Sequence, residues 1–239
     1  MILTDDTKKK LKKMAEVNNS IVLRKGKQQM VVTPDQVIVA ITQLEQDLPE
    51  DFGVWNLGQF LKTLDSLGNP DIVFENNKIT MKNDAFKMSL IYVETAHSMI
   101  KTPDVTKIPL IYSWPEIFSC KMSQDQFENL STIVNLNKFP HITFKLEGEY
   151  VKVTGYTHGQ DTTNSVTLDL EQALTANTDS SNCFFQSLHL MNMVEDDYNI
   201  KFVAMGPHEK VNTDKAIGIF TGQKTNTTYM VKTSLPPRS

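Results

Sequence analysis

Only two of the 239 residues are cysteine, Cys120 and Cys183. Two cysteines cannot make the framework of a secreted scaffold, and they lack metal-site spacing, so a reducing cytoplasm is expected. Long hydrophobic runs are missing as well. The longest, such as Met30-Val31-Val32 and Val37 to Ile41, are a few residues long. A bilayer span needs about 20, so no transmembrane helix is expected. The opening Met-Ile-Leu-Thr-Asp-Asp has no basic segment ahead of an apolar one, so it does not read as a signal peptide.

Enzyme signatures are also lacking. Gly218-Ile-Phe-Thr-Gly222-Gln-Lys224-Thr225 superficially suggests a phosphate loop. That motif needs four residues between its glycines and a lysine directly after the second, so that N–H groups and ammonium converge on the phosphates. Here the gap is three and Gln223 intervenes, so a hairpin turn is expected. His97, His141, His158, His189 and His208 are scattered and never spaced i, i+4, so neither a metal nor a cofactor is expected. Asp196-Asp197 reads as a loop of solvated acids. A hydrolase would need a convergent acid–base pair, and none is visible. The expectation is a protein that is not an enzyme.

What is present is a globular composition, 40% hydrophobic and 22% charged. The length suits one large domain or two small ones. The chain carries a net charge of −4. Residues 1–30 hold eight lysines and arginines against three acids, a net of +5, which leaves −9 for the rest. A basic first segment on an acidic body suggests a polyanion-binding surface confined to one face.

The first segment reads as a helix. Thr4 caps it, Asp5 and Asp6 suit the positive end of its dipole, and Asn18-Asn19 stops it. At 100° per residue Leu11, Met14 and Ala15 fall on one side with Thr7 beside them. Lys8, Lys9, Lys12 and Lys13 fall opposite, and Lys10 lies near the edge. Two readings of this lysine face stand open. It is an ordinary solvated face, or its self-repulsion, with only Glu16 to pair with, is relieved by phosphates. No aromatic residue is interleaved, which favours backbone contact without base readout.

Ile21-Val22-Leu23, a turn at Lys25-Gly26-Lys27 and Gln29 to Val32 read as a hairpin. Leu57, Phe60, Leu61 and Leu64 mark a second helix, ended by Gly68-Asn69-Pro70. Strands follow at 72–74 and 79–81, joined through Asn76-Asn77, and from Phe86 to Tyr92. Pro103, Pro109 and Pro115 then suit an extended connector. Its apolar residues Ile108, Leu110, Ile111, Tyr112 and Trp114 either close a seam or form a groove for a hydrophobic partner peptide.

After the connector the pattern restarts. Ser123-x-Asp125 echoes Thr4-x-Asp6 at an offset of 119, where Leu130, Ile133, Val134 and Asn137 match Leu11, Met14, Ala15 and Asn18. Residues 142–144, a turn at Gly148 and residues 150–153 repeat a hairpin. Phe185, Leu190, Met191 and Val194 match Trp55, Phe60, Leu61 and Leu64 at 130, and Ile200 and Phe202 match Ile72 and Phe74 at 128. Drifting offsets are what loop changes between two copies of one fold produce. The expected architecture is α+β: two helices on one face of an antiparallel sheet, done twice. The expected domains are 1–103 and 113–239, with an interdomain connector at 104–112.

Leu3-Thr-Asp-Asp-Thr-Lys, then Leu11 and Asn18-Asn19-Ser-Ile-Val-Leu-Arg-Lys-Gly26, resembles the opening of the DNA polymerase sliding clamps of T-even-type tailed phages. Val54-Trp-Asn-Leu-Gly-Gln-Phe-Leu61 and Leu190-Met-Asn-Met193 resemble the second and fourth helices of that family. The similarity runs in order over nearly the whole length. It implies the processivity-clamp fold, with helices facing a central hole and sheets outside. Six such domains make a ring, so two per chain imply a head-to-tail homotrimer. The implied role is a mobile tether around double-stranded DNA, opened and closed by an ATP-dependent clamp loader and held by the replicative DNA polymerase. It also implies service in late transcription and a place in the cytoplasm of an infected bacterial host, away from membranes.

The DNA contacts implied are Lys8, Lys9, Lys12 and Lys13 of helix one, Lys62 of helix two and Lys138 at the end of helix three, with His189 and Asn192 facing the hole from helix four. Helix three departs from the expectation, carrying Asp125 and Glu128 and no lysine before Lys138. Ile108, Leu110 and Tyr112, with Met230, are the candidate partner-peptide contacts. The competing class is a non-catalytic β-rich phage structural or interaction protein with a solvated lysine helix.

Overall fold

The computed structural model describes residues 1–75, 78–83, 87–91, 100–157, 165–176, 180–191, 193, 195–204 and 216–233. The chain divides into two compact units, Met1–Pro103 and Asp104–Ser239.

The first unit opens with α1 (Asp5–Val17), whose first turn is closed by the Thr4 hydroxyl accepting the Thr7 N–H. Strands β1 (Ile21–Leu23), β2 (Gly26–Val32), β3 (Ile38–Leu48) and β4 (Phe52–Val54) follow. Next come α2 (Leu57–Ser66) and the meander β5 (Asp71–Glu75), β6 (Lys78–Lys82) and β7 (Lys87–Ile91). The expected pairing of 21–23 with 29–32 is not formed. β1 pairs with β4, Ile21 opposite Val54, and β2 pairs with β3, Met30 opposite Ile41. Gln29 explains the break: its side chain bonds the N–H and C=O of Arg24 and the C=O of Gly26, turning the chain where a ladder would run. The strands expected at 72–74 and 79–81 do pair, with Ile72 opposite Met81. Asn76, Asn77, Phe86 and Tyr92 lie outside the described residues.

The second unit starts with a difference. Residues 107–112, expected as extended chain, form the short helix α3 (Lys107–Tyr112), none of whose residues is buried. Pro109 is its third residue, where a missing N–H loses no intrahelical bond. Then come β8 (Glu116–Met122), α4 (Gln124–Asn137), β9 (His141–Glu147), β10 (Tyr150–Tyr156) and β11 (Ser165–Gln172). They are followed by β12 (Thr175–Ala176), β13 (Ser180–Gln186), α5 (Ser187–Met191), β14 (Tyr198–Ala204), β15 (Ala216–Gly222) and β16 (Thr227–Lys232).

These strands make two antiparallel sheets rather than one. The strand orders are β11-β10-β9-β13 and β12-β8-β14-β15-β16. Phe144 and Phe185 from the first meet Phe202 and Phe220 from the second, with Phe144 and Phe202 centred 5.2 Å apart and Phe185 and Phe220 6.1 Å apart. Aromatic rings dominate such cores because each removes a large apolar area from water. Gly218 is built into this contact, since a Cβ there would lie 2.8 Å from the Phe220 ring and 3.1 Å from that of Phe185. Gly218→Ala is therefore expected to cost about 1–3 kcal/mol by overpacking. The denaturant midpoint measures it, and an unchanged midpoint would mean that the rings yield freely. Helix α4 packs on β10 and β11 and α5 on β13. Both cysteines are buried in this unit. Burial pushes the Cys120 thiol up to about 12, which leaves it inert.

Candidate functional site

The first unit brings α1 and α2 together, and α1 also packs on β2 and β3. The turn between α1 and β1 sets the helix pair. Asn18 ends α1 and donates to the Val32 carbonyl at 2.8 Å. Asn19 serves the start of α2, its side-chain oxygen accepting the Gly58 N–H at 2.7 Å and its backbone carbonyl the Leu57 N–H. Asn56 caps the Gln59 N–H. The asparagine pair therefore stops one helix and satisfies the orphan donors of the next.

The lysines on α1 are partnered more fully than their sequence suggests. Lys8 is not on the open face. It is 8% exposed, with Nζ 2.7 Å from Asp5 Oδ1, 2.6 Å from Asn69 Oδ1 and 3.7 Å from Asp65 Oδ1. The hydrogen bond to Asp5 outweighs desolvation and raises its pKa. Lys10 is tied to Asp6 at 3.0 Å and to the Gln43 carbonyl at 2.8 Å. Lys12 pairs with Asp65 Oδ2 across the two helices at 2.8 Å, and Lys13 with Glu16 at 3.3 Å. Glu16 is thus not the only counter-charge. Lys9 on α1 and Lys62 on α2 are exposed and have no carboxylate partner among the described residues.

The signal for Lys8 was in the repeat. At the offset of 119 it corresponds to Phe127, which is buried against Tyr198 with ring centres 5.4 Å apart. Both residues lie three positions before a buried leucine, Leu11 or Leu130.

Helix α4 presents a different face. A capping box closes its start, Gln126 N–H to the Ser123 hydroxyl and Ser123 N–H to the Gln126 side chain. Its exposed residues include Asp125, Asn129, Thr132, Asn135, Leu136 and Asn137, and no cation lies within it. Leu136 is 77% exposed. Lys138 is exposed just past the end, in the left-handed conformation at φ 53°. On α5, His189 is buried, so it does not present an open face. Asn192 lies outside the described residues.

The partner-peptide candidates separate. Leu110 and Tyr112 on α3 are exposed, 54% and 52%, and Ile108 is half-buried. Met230 is 2% exposed within β16, so its side chain offers no outer surface.

Asp196 is not a solvated acid. It is fully buried, and its carboxylate accepts the N–H groups of Asp197, Lys224 and Thr225 and the Thr225 hydroxyl, at 2.7 to 3.0 Å. It fixes the hairpin turn between β15 and β16, the stretch that superficially suggested a phosphate loop. Asp197 accepts the Gln124 N–H and pairs with Lys224 at 3.1 Å, tying the same turn to α4. The described residues hold no group of three or more side chains suited to a metal ion. No helix among them is long and apolar enough to cross a membrane.

No family model matches the chain. It is 22% identical over 209 residues to the sliding clamp of Vibrio phage KVP40, covering 86% of this chain and 92% of that one. Among solved structures it matches A. fulgidus PCNA, bound there to the C-terminal region of FEN-1, with a TM-score of 0.68 at 13% identity over 99% of this chain and 98% of the other. It matches the DNA polymerase III beta chain of Streptococcus pneumoniae with a TM-score of 0.66 at 12% identity, over 99% of this chain and 64% of that one. The Helicobacter pylori beta clamp, bound to a DNA ligase peptide, gives 0.64 at 11% identity over all of this chain and 66% of that one. The fold is that of PCNA and the beta clamps, and the resemblance to a phage sliding clamp holds along most of both sequences.

Proposed function

We propose that this chain is a sliding clamp, a non-catalytic ring that encircles duplex DNA and tethers a replicative polymerase. The observation that carries the reading is the clamp fold over essentially the whole chain, joined to ordered similarity with a phage sliding clamp. Two repeated units per chain make a closed head-to-tail trimer the economical assembly, because a heterologous interface closes at three-fold symmetry. An ATP-dependent loader opens and closes the ring. The setting is the cytoplasm of an infected bacterium, where the clamp also serves late transcription.

The DNA-facing surface is the exposed side of α1 and α2, with Lys9, Lys12, Lys13 and Lys62 meeting phosphates without reading bases. Lys138 adds a cation beyond α4. Lys8 holds the helix pair rather than the DNA. Partner peptides engage α3 through Leu110 and Tyr112 with Ile108, since apolar side chains left in water are natural anchors. Met230 supports this unit from within its core.

Light-scattering mass across a concentration series tests the assembly. A mass of three chains, falling only on dilution, is expected. A 27.1 kDa monomer at every concentration would sink the self-closing ring.

A further inference from the structure

The helix face assigned to DNA carries its own anion. Asp65 lies on α2 one turn beyond Lys62 and reaches across to α1, where Oδ2 is 2.8 Å from Lys12 Nζ. Its other oxygen stands 3.7 Å from Lys8, but Lys8 already has closer partners in Asp5 and Asn69. For Lys12, Asp65 is the one acidic partner among the described residues. Both side chains stand well out in water, 53% and 41% exposed, where an ion pair adds little to stability. A carboxylate and a phosphate offer an ammonium the same kind of oxygen acceptor.

We propose that Asp65 is a built-in competitor for DNA phosphate: it occupies Lys12 in the free protein and repels the approaching backbone, and so restrains the grip on duplex. This rests on the DNA-encircling reading above. Lys9 and Lys62 supply the unopposed attraction, while Lys12 is released only as a phosphate replaces Asp65. A clamp that must move along DNA benefits from such a limit, because every firm hold on a phosphate is one to break at each step.

The test uses the full chain and a fluorescein-labelled linear duplex, read by anisotropy across a salt series. Asp65→Asn is expected to bind about 3–10-fold more tightly at low salt, with a salt dependence steeper by about 0.9 for each further phosphate neutralised. Asp65→Glu should behave like the unaltered protein, because the acceptor is kept. In the Lys12→Gln background the tightening by Asp65→Asn should shrink to that of repulsion alone.

A purely structural Asp65 would lower the melting temperature and leave the salt slope unmoved, which overturns the proposal. So would a tightening that Lys12→Gln leaves whole. Should Asp65→Asn fail to fold, Asp65→Ser carries the same comparison. No binding by the unaltered protein or any variant would overturn the DNA reading itself, and this proposal with it. Binding by the unaltered protein without tightening in Asp65→Asn overturns the proposal alone.

Discussion

Asp196→Ala is expected to cost the second unit about 3–5 kcal/mol, enough to erase much of the stability of an ordinary domain. Four donors converge on a carboxylate that no water reaches, and hydrogen bonds to a charged group contribute about 1.5–3 kcal/mol each before their coupling is counted. Alanine leaves three N–H groups at a tight turn without acceptors. Asp196→Asn preserves the shape but turns an amide N–H₂ toward donors, so it should lose nearly as much. Gly222 belongs to the same device, because a Cβ there would lie against the Asp196 carboxylate.

The pH dependence has a definite sign. Burial opposes the charge of Asp196, but the Thr225 hydroxyl and the N–H groups of Thr225, Lys224 and Asp197 outweigh it and hold the carboxyl below its usual range. The folded state then binds its proton less readily than the unfolded chain. Its stabilising effect is present above the unfolded value, near pH 4, and is lost as pH falls through the lower folded value. Urea melts from neutral to strongly acid pH should show a fall in the unaltered protein that is smaller in Asp196→Asn. Parallel curves for the two would remove Asp196 from the acid response.

The second large effect concerns DNA. Removing both unpaired cations, Lys9→Ala with Lys62→Ala, should weaken binding to linear duplex by roughly 10²–10³-fold at low salt. In a trimer six contacts disappear, so the dependence of log affinity on log salt should flatten by about 5. Lys8→Ala is the matched control, expected to lower the melting temperature while leaving that slope in place. A slope governed by Lys8 or Lys138 instead would move the DNA-facing surface elsewhere.

Local sequence made the longer helices legible, but not α3, where the prolines read as extended chain. Thr4 and Ser123 cap where expected, Asn18 ends α1, and the period of Leu57, Phe60, Leu61 and Leu64 is the buried stripe of α2. The hairpin turning at Gly148 was equally plain, its φ of +61° suiting glycine. Strand partners were not, because pairing is settled by distant chain: β1 waits for β4, and the long β3 had no signal beyond a short apolar run.

The lysine face shows the same limit. A helical wheel places Lys12, but its partner Asp65 lies 53 residues away, and three of the four donors to Asp196 come from a turn 28 and 29 residues on. The burial of Lys8 was readable from the repeat, by asking what Phe127 does in the second copy.

Lys8 and Phe127 fill one helical position with two chemistries. The seat of α1 on α2 includes ion pairs, and those open to water, such as Lys12 with Asp65, weaken as ionic strength rises. The seat of α4 is aromatic, Phe127 against Tyr198, and apolar contact weakens on cooling instead. At this one duplicated position the first copy therefore depends on matched charges and the second on matched shapes.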